Sequence, residues 1–231
     1  TLVVCNASAI DLSIKLVDRR AESEPLQVRG TDWSTANGDG RPVLGYVAVD
    51  SAHCEDLRIM VSTPRDEASV AADGWSDKPL VVPVPTGASP RAFARKFQPV
   101  ECTDRDGRTY HFMCEVVTTA ESRRVTISAP FAVENLLPSF CRLATSLKGS
   151  AVKDILNWNV AAGKTHRRHR YSAKSIEDAD AIVVAMDIDG FERAQANVPF
   201  SGSTELKLRA KQNQKQELPV KLQLVVSKDN A

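Results

Sequence analysis

Apolar and polar residues alternate one for one in stretch after stretch of this chain, and that period of two places successive side chains on opposite faces of a strand. Leu12, Ile14 and Leu16 alternate with Asp11, Ser13 and Lys15; Tyr110, Phe112, Cys114 and Val116 alternate with His111, Met113, Glu115 and Val117. Leu206 and Leu208 do the same among Glu205, Lys207 and Arg209, as do Val220, Leu222, Leu224 and Val226 among Lys221, Gln223, Val225 and Ser227. Turn residues punctuate these runs at Asn37-Gly38-Asp39-Gly40, Asp104-Arg105-Asp106-Gly107, Asp187-Ile188-Asp189-Gly190 and Ser201-Gly202-Ser203. The one helix-start pattern, Ser175-Ile176-Glu177-Asp178, is followed by too few apolar residues to build a helical face. Short two-faced strands at this spacing predict an all-β chain of sandwich or barrel type.

The two halves follow one order of features. Leu2-Val3-Val4-Cys5-Asn6 precedes the alternating run from Ile10 to Leu16, and Phe131-Ala132-Val133-Glu134-Asn135 precedes Cys141 and Leu143 in similar phase. The apolar strand near Leu57 to Val61 and Gly74-Trp75-Ser76 match Ala181 to Met186 and Gly190-Phe191-Glu192. Each half closes on an alternating strand, Val125-Thr126-Ile127-Ser128 and Leu224-Val225-Val226-Ser227. The expected organisation is therefore two tandem antiparallel β-sandwich repeats, 1–128 and 129–231, joined so closely that they stack as a rod. An insertion at about 63–99 contains Pro64, Pro79, Pro83, Pro85, Pro90 and Pro99. Such a segment cannot supply a central strand and is expected to be a surface loop, with a short edge strand at Leu80 to Val84 as the alternative.

Thirty Lys and Arg against 29 Asp and Glu leave a net charge of +1, so no whole-molecule field exists to attract nucleic acid. The odd set Cys5, Cys54, Cys102, Cys114 and Cys141 has no repeated spacing, which fits reduced thiols in a cytosolic protein better than a disulfide framework. No apolar run approaches the roughly 18 to 20 residues of a spanning helix. A chain that starts directly in strand-like sequence at Thr1-Leu2-Val3-Val4 is expected to be a segment of a longer protein.

Several motifs fail on inspection. Gly163-Lys164-Thr165 resembles the end of a phosphate-binding loop, but Trp158 stands where that loop needs its first glycine. Asp187-Ile188-Asp189-Gly190 opens like a calcium loop, yet Val198 occupies the position of the closing Glu. His166 and His169 sit among Arg167, Arg168 and Arg170, a cationic setting without further ligands, so no metal or other cofactor is expected. Lys164, Arg167, Arg168 and Arg170 instead form a basic patch, read either as a solvated hairpin or as a weak contact for an anionic membrane surface or an acidic segment. No nucleophile, elbow or acid-base constellation emerges, and the chain is not expected to be an enzyme. Trp158 in Asn157-Trp158-Asn159 is expected in the core, with a sugar-stacking role as the rival.

Residues 125–138, Val-Thr-Ile-Ser-Ala-Pro-Phe-Ala-Val-Glu-Asn-Leu-Leu-Pro, resemble the junction between repeats in the adaptor-binding (VAB) domain of the vacuolar protein sorting-associated protein 13 family. There a strand ends, a Ser-x-Pro-aromatic segment follows, and an Asn opens the next module, often as Asn-x-x-Pro. The resemblance spans the chain as two repeats and maps the family Asn onto Asn6 and Asn135, with Pro138 completing the second motif; Ala9 replaces that proline in the first. An Asn at a strand end can bond backbone groups through both its oxygen and its amide. The resemblance implies a non-catalytic module of a bridge-like lipid-transfer protein that binds Pro-x-Pro motifs of adaptor proteins and recruits it to organelle membranes and contact sites. Pro83-Val84-Pro85 is itself such a motif, read as a proline-rich loop or as a mimic of the ligand. The alternative function is a carbohydrate- or lipid-binding β-sandwich of a larger protein.

Overall fold

A computed structural model of the chain describes residues 1–8, 10–18, 21–30, 32–36, 42–43, 45–49, 57–62, 74–83, 94–103, 107–119, 122–150, 155–169, 171–172, 175–176, 178–200, 202–211 and 220–226. Among the described residues only Ser175 and Ile176 are helical, and the rest of the regular structure is strand. The chain is all-β. It divides into two compact units, one comprising Thr1–Phe131 with Arg167–Ala173, the other Ala132–His166 with Lys174–Ala231.

The first unit contains β1 (Leu2–Asn6), β2 (Leu12–Asp18), β3 (Ala21–Glu22), β4 (Leu26–Val28), β5 (Asp32–Ala36), β6 (Pro42–Val43), β7 (Gly45–Val49), β8 (Leu57–Ser62), β9 (Leu80–Val82), β10 (Ala94–Thr103), β11 (Thr109–Thr118) and β12 (Arg123–Ser128). One sheet has the order β10-β11-β12-β1-β7; a second runs β3-β2-β8-β9 with β4 also on β2, and β5 pairs with β6. The alternating residues decide which faces meet. Leu2, Val4, Phe112, Cys114, Val125 and Ile127 from the first sheet join Leu12, Ile14, Ile59, Val61, Leu80 and Val82 from the second in one buried cluster.

Three expectations are corrected here. First, not every ladder is antiparallel: β1 runs parallel to β12, pairing Leu2 with Arg123 and Asn6 with Ile127. Alternation encodes which face a strand buries but not which neighbour it takes or in which direction. Second, the segment 63–99 is not a surface loop throughout, and at Leu80–Val82 the edge-strand alternative is the one found. Leu80 and Val82 are buried on β9, which pairs antiparallel with β8, and Ala94 to Pro99 open the ten-residue β10. Both strands lie at sheet edges, the one place where a sheet tolerates proline. Pro85, Pro90 and the remainder of the Pro-x-Pro motif after Pro83 lie outside the described residues. Third, Ser13 is buried although the pattern placed it with the solvent-facing residues. The Gln27 side-chain amide donates to its hydroxyl at 2.8 Å, and Trp75 lies 4.7 Å from the Lys15 ammonium on the same strand, so this face of β2 is covered.

The second unit carries most of β13 (Phe131–Glu134), β14 (Cys141–Lys148), β15 (Leu156–Val160), the first half of β16 (Thr165–Arg168), β17 (Ala181–Asp187), β18 (Ala194–Pro199), β19 (Gly202–Leu208) and β20 (Val220–Val226). Its main sheet has the order β15-β14-β17-β18; β13 pairs with β16 and β19 with β20. β17 is apolar on both faces, and its continuous run Ala181-Ile182-Val183-Val184-Ala185-Met186 fits its central position. Between β17 and β18, Ile188 accepts a 3.0 Å bond from the Phe191 amide around Gly190, whose φ of 89° only glycine adopts freely. The Asp187-to-Gly190 segment is thus a turn.

Registers in the two units coincide when counted from Asn6 and Asn135. Leu12 pairs with Val28 and Cys141 with Val160; Ser13 pairs with Ser62 and Arg142 with Asp187. The closing strands do not follow the same equivalence. β12 pairs with both β1 and β11, whereas among the described residues β20 pairs with β19 alone.

Gly45 faces Asn6 across the β1–β7 ladder. A Cβ at this position would overlap the Arg29 carbonyl oxygen, which belongs to the chain just after β4. Glycine is required by this close approach of backbone to backbone. Gly45→Ala is expected to destabilise the first unit by about 1 to 3 kcal/mol, the usual range for an overpacked site. Urea denaturation measures this, and a variant as stable as the parent would contradict it.

Candidate functional site

An asparagine at the end of a strand can act as a three-point clamp only if its neighbours present acceptors on one side and a donor on the other. Asn6 ends β1 fully buried, and its side-chain amide donates to the carbonyls of Ile10 at 2.9 Å and Val28 at 3.0 Å. Its oxygen accepts the Ser8 amide at 3.0 Å. Asn135 follows β13 and is 3% exposed. Its amide donates to the Ser139 carbonyl at 2.8 Å and the Val160 carbonyl at 2.9 Å, and its oxygen accepts the Leu137 amide at 3.0 Å. Each asparagine thus joins residue i+2, residue i+4 and the last residue of a strand more than twenty positions later. Both donor hydrogens and the acceptor are used, so neither Asp nor Ser can reproduce the set.

The two turns differ in what fills them. In the first, the Ser8 hydroxyl is buried 2.6 Å from the Asn6 oxygen and 2.9 Å from the Ile10 carbonyl. Ser8 was not singled out by its sequence setting, because a lone serine two residues after an asparagine carries no signal of burial. In the second turn Pro138 is exposed and makes no part of the clamp, while Leu136 is 81% and Phe140 44% exposed.

Of the basic segment, Lys164 and Arg167 have described side chains. Lys164 is exposed and its carbonyl accepts the Asn135 amide at 3.0 Å; Arg167 is half-buried. The Arg168 side chain and Arg170 lie outside the described residues. His169 and Tyr171 are buried: the His111 amide donates to the His169 carbonyl at 2.8 Å, and His169 Nδ1 lies 3.1 Å from the His111 carbonyl. The His169 ring lies 4.8 Å from that of Phe112, and Tyr171 meets Phe131 edge-on at 5.7 Å. Part of the stretch read as a hairpin is therefore docked along β11. Periodicity cannot report this, because the partner strand is remote in sequence.

Trp158 is 1% exposed, and its indole N–H donates to the Thr145 hydroxyl at 2.8 Å. Covered on all sides, it offers no platform for a sugar. Among the described residues no cluster of His, Cys, Asp or Glu is arranged to hold a metal ion. No helix is long and apolar enough to cross a membrane.

Cys5, Cys114 and Cys141 are free thiols, Cys102 is buried near Cys114, and Cys54 lies outside the described residues. Burial pushes the Cys114 thiol far above the ordinary range, with nearby Cys102 adding in the same direction. Since the thiolate is the reactive form, Cys102 and Cys114 are expected to resist iodoacetamide at pH 8 in the folded protein and to label in urea. Mass spectrometry after a timed pulse reads this, and labelling of native Cys114 at the unfolded rate would contradict it.

No protein-family model matches the chain, and no curated protein matches it significantly.

Proposed function

We propose that the chain is a non-catalytic adaptor-binding module, two consecutive VAB-like β-sandwich repeats of a bridge-like lipid-transfer protein. In this reading it recruits that protein from the cytoplasm to organelle membranes and contact sites by binding Pro-x-Pro motifs of adaptors. The observation that carries the reading is the duplicated clamp. Asn6 and Asn135 make the same three backbone bonds, to i+2, to i+4 and to the end of the next antiparallel strand. A single Asx-turn arises in any β protein; two with the same register around them are what a repeated module with one invariant fixing point would produce. An edge strand such as β15 suits the ligand, because an extended peptide can add to a sheet edge through backbone bonds while pockets read alternate side chains. Proline in the peptide lowers the entropy lost on ordering it.

Isothermal titration of the 231-residue chain with a Pro-x-Pro peptide tests the reading. Saturable micromolar binding that disappears when both prolines are replaced by alanine is the expected result. Absence of peptide binding together with binding to a glycan array would favour the carbohydrate-binding alternative.

A further inference from the structure

The two asparagine turns have the same backbone bonds but opposite surfaces, and the difference exposes apolar side chains that the clamp does not need. The first turn accomplishes the clamp with Ala7 and the buried Ser8. The second presents Leu136 at 81% exposure, Phe140 at 44% and an exposed Pro138. Three bonds at Asn135 hold the backbone of this turn. Next to it, Gly163 donates to the Asn135 carbonyl at 2.8 Å, which brings the exposed 161–164 turn alongside with Ala162 and Lys164 at its surface. The Arg142 guanidinium lies 5.8 Å from the Phe140 ring. A projecting leucine, proline and phenylalanine bordered by an arginine and a lysine is the pattern of a segment that dips into the interface of a phospholipid bilayer.

We propose that the paired turns around Leu136 and Ala162 form a membrane-contacting tip, with apolar side chains entering the acyl boundary and Lys164 and Arg142 meeting anionic headgroups. A bilayer is favoured over a protein because the apolar side chains project from a turn and so need no shaped partner surface, and a patch of three side chains falls well short of a stable protein interface. Acidic groups are near: Glu134 is exposed, and Asp187 stands 3.9 Å from Arg142 with both side chains about half exposed. A pair so loose and solvated neutralises little, and the charge term is a modifier of apolar insertion. The inference does not depend on adaptor binding.

Flotation of the whole chain with vesicles of phosphatidylcholine, with and without phosphatidylserine, tests it. The chain is expected to float, more strongly with phosphatidylserine, and Leu136→Asp is expected to lower the bound fraction about tenfold. Tyr46→Asp, at a position 71% exposed in the first unit, is expected to change nothing. Failure of the parent chain to float, or equal flotation of Leu136→Asp, overturns the proposal. Phe140→Ser serves as the second variant should Leu136→Asp lower the melting temperature. If Leu136→Asp weakens Pro-x-Pro peptide binding and leaves flotation intact, the tip faces a protein and the proposal is also overturned. A parent chain that floats but binds no peptide sinks the adaptor reading alone.

Discussion

Replacing Asn135 with Asp is expected to cost the second unit about 3 to 5 kcal/mol at pH 7, with Asn6→Asp doing the same to the first. Aspartate keeps the oxygen that accepts the Leu137 amide but loses both donors, so a carboxylate would face the Ser139 and Val160 carbonyls at less than 3 Å. The site is buried, which leaves the repulsion little screened. The effect has a sign that separates it from ordinary loss of packing. Burial against two acceptors raises the folded-state pKa of the new carboxyl above its unfolded value of about 3.9. The penalty is then absent below the unfolded value and grows as pH rises through the folded one. Asn135→Asp should therefore be closest to the parent near pH 4 and furthest from it near pH 7. Asn135→Ser, which shortens the side chain and loses the donors without adding charge, should lose about 2 to 3 kcal/mol with no such pH dependence. Thermal melts of both variants across that pH range are the measurement. A shift on the order of 10 °C is expected for the unit affected. A pH-independent Asn135→Asp deficit, or none, would mean that the clamp is not what holds this turn.

That clamp is also where reading the sequence succeeded and where it stopped. Two asparagines in matching positions before matching alternating runs marked Asn6 and Asn135 as fixing points, and their side-chain bonds are of the kind an asparagine can uniquely make. The distant partners were not legible. Val28 and Val160 are ordinary strand-end residues, and which strand returns to a turn depends on register and connection, neither of which period-two patterning records. The same limit explains the parallel β1–β12 ladder, since Val125-Thr126-Ile127-Ser128 looks alike whichever way its neighbour runs. At β9, where Leu80 and Val82 lie buried, proline density had left a surface loop and a short edge strand both open, and the edge strand is what forms. Proline excludes central positions but leaves edges open. Charge clusters were the least informative. Lys164, Arg167 and His169 are neighbours in sequence, yet they stand exposed, half-buried and buried in turn, because past β16 the chain bonds to β11 at His169.

The second large effect is expected at Trp158, on an edge strand whose end accepts one of the three bonds of the Asn135 clamp. Trp158 pairs with Leu143 across the β14–β15 ladder, and its indole bonds to the Thr145 hydroxyl on the neighbouring strand. β15 has only five residues and a single ladder, so the large buried ring between Leu156 and Val160 supplies much of what holds it in place. Trp158→Ala is expected to destabilise the second unit by about 3 to 5 kcal/mol, the cost of a large aromatic cavity. Trp158→Phe refills most of the volume but loses the N–H bond, and about 1 to 2 kcal/mol is expected. Because the Val160 carbonyl accepts from Asn135, a loosened β15 also loosens the clamp. The two sites should therefore couple. Trp158→Ala combined with Asn135→Ser is expected to cost less than the sum of the two single changes by about 1 kcal/mol or more, since the first has already released part of what the second removes. Urea unfolding of the four proteins in the cycle reads the coupling directly. Additivity within about 0.5 kcal/mol would show that ring and clamp hold β15 independently, and that the turn at Asn135 keeps its shape whether or not the edge strand stays seated.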